Sequence, residues 1–325
     1  MKILLIVVLI ILGLFLLFTF GGGYYMYRFA TLRNKKQKNY WKDEMKPAKF
    51  LSEEDNGIIL DGWKYLRAQS WEDVEITSHD GLKLHGHYLA HPDPRGVILQ
   101  IHGYRGCGAF DFSCAAEPFY NMGFSLLIVD QRANGDSEGK HITFGYYERY
   151  DAVEWAKYLR ERFPHLPVVM DGVSMGATTV MLAVAVGYPD NVKAIIADCG
   201  FSSPGAICRK VLKQWFSLPP FPLYYGARFW VKLLAKFDLD GVSCREALAH
   251  LKDSGLKLLI AHGKKDGFVP YSMSIENMSD FTDEDKESIV QLFTAEDADH
   301  GLSYLKCREG YDKEIEILLS RAGIE

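Results

Sequence analysis

Six compact apolar runs punctuate the middle and end of the chain: Gly96–Gly103, Phe124–Asp130, Pro167–Val173, Val192–Asp198, Leu256–Gly263 and Ser288–Phe293. Between them lie helical patterns. Tyr147–Phe163 puts Val153, Ala156, Tyr158 and Leu159 near one face, and Ala177–Val186 is apolar nearly all round. Apolar strands separated by helices predict an α/β fold with a mostly parallel central sheet and helices on both faces, because crossover helices cover both sides of such a sheet. Val74–Leu89 adds two β-rich runs around Asp80-Gly81, which reads as an antiparallel hairpin at one edge.

Two segments break the alternation. The stretch at about 201–255 carries Trp215, Phe216, Phe221, Tyr224, Tyr225, Phe229, Trp230 and Phe237, with Pro219, Pro220 and Pro222 among them. It predicts a small helical cap, whose aromatics serve either as the cap's own core or as a lid underside facing substrate. At the N-terminus, Ile3–Phe20 is apolar with no charge, which just reaches bilayer-spanning length. Gly21–Gly23, three tyrosines and the basic cluster Arg28, Arg33, Lys35, Lys36 and Lys38 follow. These flanks favour a retained single-pass anchor with a cytoplasmic body. A cleaved signal, with the body outside the cytoplasm, is the alternative, and only the glycines offer a cleavage site. The expected organisation is therefore an anchor at 1–23 and a juxtamembrane connector at 24–70. A helix in the connector starts at Ser52 and runs through Leu66, and the main domain at 71–325 contains the cap.

The net charge of −5 and the lack of a basic stripe in the body give no reason to expect a nucleic-acid partner. Six scattered cysteines form no C-x-x-C pair, so neither zinc nor dithiol chemistry is expected, and the scatter suits a reducing compartment. His85 and His87 share a strand face, but without a further ligand cluster they read as ordinary strand residues. No phosphate loop is present, and no metal or organic cofactor is expected.

The pattern G-x-S-x-G occurs twice, at Gly135–Gly139 and Gly172–Gly176. A nucleophile elbow needs a buried strand before the serine and a helix after it. Ser174 has both, whereas Ser137 sits in a polar loop after Asp130. A serine needs a base, and the base an orienting acid. His300 follows the last strand, and Asp266 follows the strand before it, with Asp198 as the alternative acid. Asp297 and Asp299 share the loop of His300 and would have to curl back, His262 reverses the chain order, and His250 falls on an amphipathic helix. Backbone N–H groups of Met175 and Tyr104 are the candidate oxyanion donors.

With these motifs in view, the chain resembles the α/β-hydrolase superfamily, and more closely its bacterial esterase/lipase-like branch, grouped with serine aminopeptidase-type and Bem46-like hydrolases. The matching residues are "HGYRG" at 102–106, "DQRANGDSEG" at 130–139, "GVSMG" at 172–176, "GKKDGFVP" at 263–270 and "DADHG" at 297–301. The resemblance runs from about Trp71 to the C-terminus and excludes the anchor. It implies a Ser174–Asp266–His300 triad acting on carboxylic esters or amides through an acyl-enzyme, with a cap like the aromatic insertion. Family members often carry glycine where this chain has Ala133. Apolar acyl or aryl esters are the expected small-molecule substrates. A peptidase with the same triad and a catalytically silent binding protein at the membrane are the alternatives.

Overall fold

The computed structural model describes residues 1–34 and 36–325; within the basic cluster, Lys35 lies outside the described residues. Eight strands form one sheet: β1 Glu72–Thr77, β2 Lys83–Leu89, β3 Gly96–Ile101, β4 Phe124–Val129, β5 Val168–Val173, β6 Val192–Asp198, β7 Lys257–Gly263 and β8 Val290–Ala295. Their order is β1-β2-β4-β3-β5-β6-β7-β8. The β1–β2 and β2–β4 pairs are antiparallel and all others parallel. β3 and β4 are buried at every position, as the continuous apolar runs require of strands covered on both faces. The β1–β2 hairpin turns at Gly81, whose φ of +89° suits a residue without a Cβ.

Two apolar cores sandwich the sheet. One packs Trp155 and Leu159 of the helix Glu148–Arg162, with Val180 and Met181, against Leu99, Leu127 and Met170. The other packs Phe112, Phe119 and the C-terminal helix Arg308–Arg321 against Ile98, Leu126 and Ile196. The helix Glu53–Ala68 starts where Ser52 caps it, its hydroxyl accepting the Asp55 N–H at 3.1 Å.

The N-terminal helix departs from the sequence reading. It does not stop at the glycines but continues from Lys2 to Thr31, passing through a π-helical stretch at Leu17–Gly22. The glycines survive in a helix because they are a packing surface: a Cβ on Gly23 would lie 2.4 Å from the Gly226 backbone, and one on Gly226 would lie 1.9 Å from the Thr19 carbonyl oxygen. Residues 24–31, read as connector, are thus the end of this helix.

Between β6 and β7 the cap folds as helices Pro204–Gln214 and Leu223–Trp230, the second running on through Val231–Ala235. Its aromatics divide. Tyr224 and Phe237 are buried, while Trp215, Phe221, Tyr225 and Phe229 are exposed, so neither a closed cap core nor a lid underside describes them all. The division arises because Leu223, Gly226 and Ala227 spend the other face of the second helix on the N-terminal helix and the core.

Candidate active site

Ser174 sits between β5 and the helix Met175–Ala183, with φ of +56° and ψ of −114°. A non-glycine residue holds this conformation only where its surroundings impose it. They do so here through glycine on both sides. A Cβ on Gly172 would lie 2.4 Å from the Gly176 backbone, and one on Gly176 would lie 1.8 Å from the Ile101 carbonyl oxygen. The Ser174 N–H donates to the Asp198 carbonyl at 2.8 Å, pinning the elbow to β6.

Ser174 Oγ lies 2.9 Å from His300 Nε2, and His300 Nδ1 lies 2.7 Å from Asp266 Oδ2. With the proton on Nδ1, the ring donates to the carboxylate and leaves Nε2 free to accept from the serine. Asp266 Oδ1 accepts the N–H groups of Phe268 and Val269 at 2.8 and 2.7 Å. Burial alone would raise the Asp266 carboxyl, but hydrogen bonds from His262 and His300 overcome it and hold the group well below the usual carboxylate range. Three residues from three separate loops are therefore joined in one hydrogen-bonded line.

The other candidates lie apart. Asp198 accepts the Ser303 hydroxyl at 2.8 Å, and burial pushes its carboxyl up to about 6. Asp299 Oδ1 accepts the N–H groups of Gly267 and His300, which bridges the two loops without touching the imidazole nitrogens. Asp297 pairs with Lys265 at the surface, and His250 is exposed. Ser137 is fully buried; its hydroxyl donates to the Asp130 carbonyl at 2.6 Å and accepts the His85 N–H at 2.8 Å. Gly135 turns that loop against Asp130, where a Cβ would lie 2.0 Å from Oδ2. Ala133 stands at φ +60°, a conformation that favours glycine, in keeping with the glycine its resembling relatives often carry.

The loop after β3 passes close to the serine: a Cβ on Gly103 would meet Ser174 Cβ at 3.3 Å. Among the described residues, neither the Tyr104 nor the Met175 N–H has a protein acceptor. Asp111 braces this loop by accepting the Gly103 N–H at 2.7 Å. From outside, the N-terminal helix holds it: Tyr104 donates its hydroxyl to the Ala30 carbonyl at 2.8 Å, and Arg105 donates to the carbonyls of Phe29 and Leu32 at 2.6 and 3.1 Å.

A cavity of about 790 Å³ opens over Ser174 and His300. Its walls are largely apolar and come from the N-terminal helix (Met26, Phe29), the core (Phe144) and the cap (Ile207, Val211, Trp215). This size is that of a small-molecule site. Lys210 of the cap donates to the Gly267 carbonyl at 3.0 Å, and Trp215 and His300 both pack on Phe268, so cap and acid loop share a wall.

Sequence reasoning missed His262. It is fully buried, and its Nε2 faces Asp266 Oδ2 at 3.1 Å and the Val269 carbonyl at 2.9 Å. Its Nδ1 lies 2.7 Å from Ser274 Oγ. Two acceptors at Nε2 fix the proton there, so the ring donates to Asp266 and accepts from Ser274. Its place at the end of β7, four residues before Asp266, was the available signal. The second departure concerns His85 and His87. The antiparallel register puts Asp73 opposite His87, with Asp73 Oδ1 at 3.0 Å from His87 Nδ1 and 3.5 Å from His85 Nε2. The third group that the sequence did not offer thus comes from β1, and these three residues have the donor types of a metal site.

Residues 96–237 match the family described as alpha/beta hydrolase fold. The chain is 29% identical over 257 residues to the uncharacterized protein YqkD of Bacillus subtilis, covering 77% of this chain and 81% of that one. Among solved structures, the esterase Pf2001 of Pyrococcus furiosus superposes with a TM-score of 0.59 at 23% identity, covering 78% of this chain and 92% of that one. Est1E of Butyrivibrio proteoclasticus, solved with bound ferulic acid, superposes with a TM-score of 0.54 at 17% identity, covering 75% and 98%. Sheet order, elbow and family match together define an α/β hydrolase by fold.

Proposed function

We propose that the chain is a membrane-anchored serine hydrolase that cleaves carboxylic esters of apolar acyl or aryl groups. The observation that carries this reading is the unbroken line Ser174–His300–Asp266 at the floor of an apolar cavity. Ser174 Oγ attacks the acyl carbonyl while His300 Nε2 takes its proton. Asp266 keeps the imidazole in the Nδ1–H tautomer and stabilises the imidazolium. The Tyr104 and Met175 N–H groups, with no protein acceptor to satisfy among the described residues, stabilise the oxyanion. His300 then protonates the leaving alkoxide, and the same base activates the water that releases the acid. The likeness to esterases supports ester chemistry, and the apolar walls favour an apolar acyl group.

Retention of the N-terminal helix is supported by its contacts upstream of the glycines. Trp230 Nε1 donates to the Phe20 carbonyl at 2.7 Å, and Thr19 is buried against the cap. The basic residues after the run favour a cytoplasmic body. Fluorophosphonate labelling with peptide mapping tests the nucleophile, and a panel of aryl esters and aminoacyl amides tests the substrate class. Labelling at Ser174 with ester turnover is expected. Preference for the amides would replace the esterase reading with a peptidase, and no label would favour a silent binding protein.

A further inference from the structure

The cap touches the N-terminal helix at levels that lie inside its apolar run. Phe221 packs on Phe15 with ring centroids 6.1 Å apart, and Phe229 packs on Phe20 at 5.3 Å. Trp230 packs on Tyr24 at 5.2 Å, just past the end of the run. From Phe20 back to Phe15 is five residues, or about 7.5 Å along a helix at its usual rise. If Ile3–Phe20 crosses a bilayer, the cap at Phe221 is immersed to that depth, because the glycine crossing at Gly23 and Gly226 leaves no room to slide it away.

The outer face of the cap has the chemistry such immersion requires. Phe221 is 63% exposed, Tyr225 56%, Phe229 47% and Leu233 45%. A contiguous apolar face of this kind marks an interaction surface on a water-soluble body. Its continuity with the apolar run of the helix identifies the occupant as lipid. The depth matches that of interfacial elements, which sink about 5–10 Å into the headgroup and acyl boundary. Trp230 and Tyr24 then sit at the boundary, where amphipathic rings are favoured. The cavity rim lies just to the water side of that boundary, since Phe29 is five residues, or about 7.5 Å, past Tyr24 on the helix. Phe29 of the helix and Trp215 of the cap both line the cavity and are both exposed, and Phe216 closes on Phe29 at 5.7 Å.

We infer that the aromatic outer face of the cap lies in the bilayer beside the N-terminal helix, and that the cavity draws its substrate from that leaflet. The substrate class is a bilayer-resident, single-chain acyl ester, such as an acylglycerol, whose chain enters between Phe29 and Trp215. This rests on the retained-helix and serine-hydrolase readings above.

The test uses the full chain reconstituted in phosphatidylcholine vesicles. Fluorescence of wild type minus that of Trp230→Phe isolates Trp230, and phosphatidylcholine brominated along its chains is expected to quench it. The triple variant F221E/Y225E/L233E changes exposed residues outside the catalytic line. Its hydrolysis of monooleoylglycerol in vesicles is expected to fall about tenfold or more through lost interfacial binding, with p-nitrophenyl acetate turnover in detergent within about twofold of wild type. Equal loss on both esters, wild-type activity on both, or Trp230 shielded from brominated lipid would each overturn the inference. Quenching of Trp230 with no fluorophosphonate label at Ser174 would instead sink the hydrolase reading and leave the bilayer contact standing.

Discussion

His262 makes a direct test of how the site is held, because it touches no cavity wall and acts on Ser174 only through Asp266 and His300. Asp266 receives four hydrogen bonds, from the N–H groups of Phe268 and Val269 and from the rings of His262 and His300. Replacing His262 by leucine removes one of the four, and a hydrogen bond to a charged group is worth about 1.5–3 kcal/mol. It also strips the buried Val269 carbonyl and Ser274 hydroxyl of a partner, so a total cost of about 3 kcal/mol is expected. At about 2–4 °C per kcal/mol for a domain of 150–250 residues, Tm should fall by roughly 6–12 °C, or somewhat less for this longer chain. The carboxylate's support matters most when His300 is an imidazolium. If half of a ~2 kcal/mol bond is felt there, kcat falls about 5-fold. KM should not move, since His262 lies behind the acid. His262→Gln, whose amide can donate from a similar place, should recover part of both losses. The assay is steady-state hydrolysis of a soluble aryl ester well below the Tm of each variant, together with thermal denaturation. A leucine variant with wild-type kcat and a lowered Tm would refute the positioning role and leave His262 a packing residue.

Two further outcomes follow from groups outside the Ser174–His300–Asp266 line. Ser137→Ala should retain fluorophosphonate labelling at Ser174, yet lose about 1–3 kcal/mol in chemical denaturation, because the Asp130 carbonyl and His85 N–H lose their buried partner. Asp171 gives a pH test. Burial pushes its carboxyl up to about 7, against a hydrogen bond from Gln100 at 2.9 Å that works the other way. Its folded pKa thus exceeds its unfolded value, so the native state holds a proton that the unfolded chain has lost. That contribution is full below about pH 4 and is lost as pH rises toward 7. Asp171→Asn should therefore raise Tm relative to wild type at pH 8, with the gain shrinking at pH 5; a gain independent of pH would refute the reasoning.

The sheet was legible in the sequence because buried parallel strands must be apolar throughout, and runs such as Phe124–Asp130 admit few other readings. Ser174 stood apart from Ser137 for an equally local reason, the strand before it and the helix after it. Its geometric partners His300 and Asp266 could be picked by chain order. What stayed hidden depends on contacts between distant segments. Asp73 meets His87 only through hairpin register. The N-terminal glycines look like a helix end until Gly226 is brought against Gly23. Chain order, which selected His300, also set His262 aside, since order says nothing about a histidine that serves the acid from behind.

The hold of the N-terminal helix on the loop after β3 bears on how such an enzyme would search. A catalytic body on a slack tether samples a hemisphere of water around its anchor and meets soluble and membrane substrates alike. Here helix and body are joined without slack, by the Gly23–Gly226 crossing, by Tyr104 and Arg105 on the last helical carbonyls, and by Arg33 on the carbonyls of Gly135 and Ser137. The body cannot swing. With the helix held in a bilayer as proposed, its reach would be set by lateral diffusion in the plane, and encounter would become a two-dimensional problem. What the site meets would then be governed by the surface density of an ester in one leaflet rather than by its concentration in water.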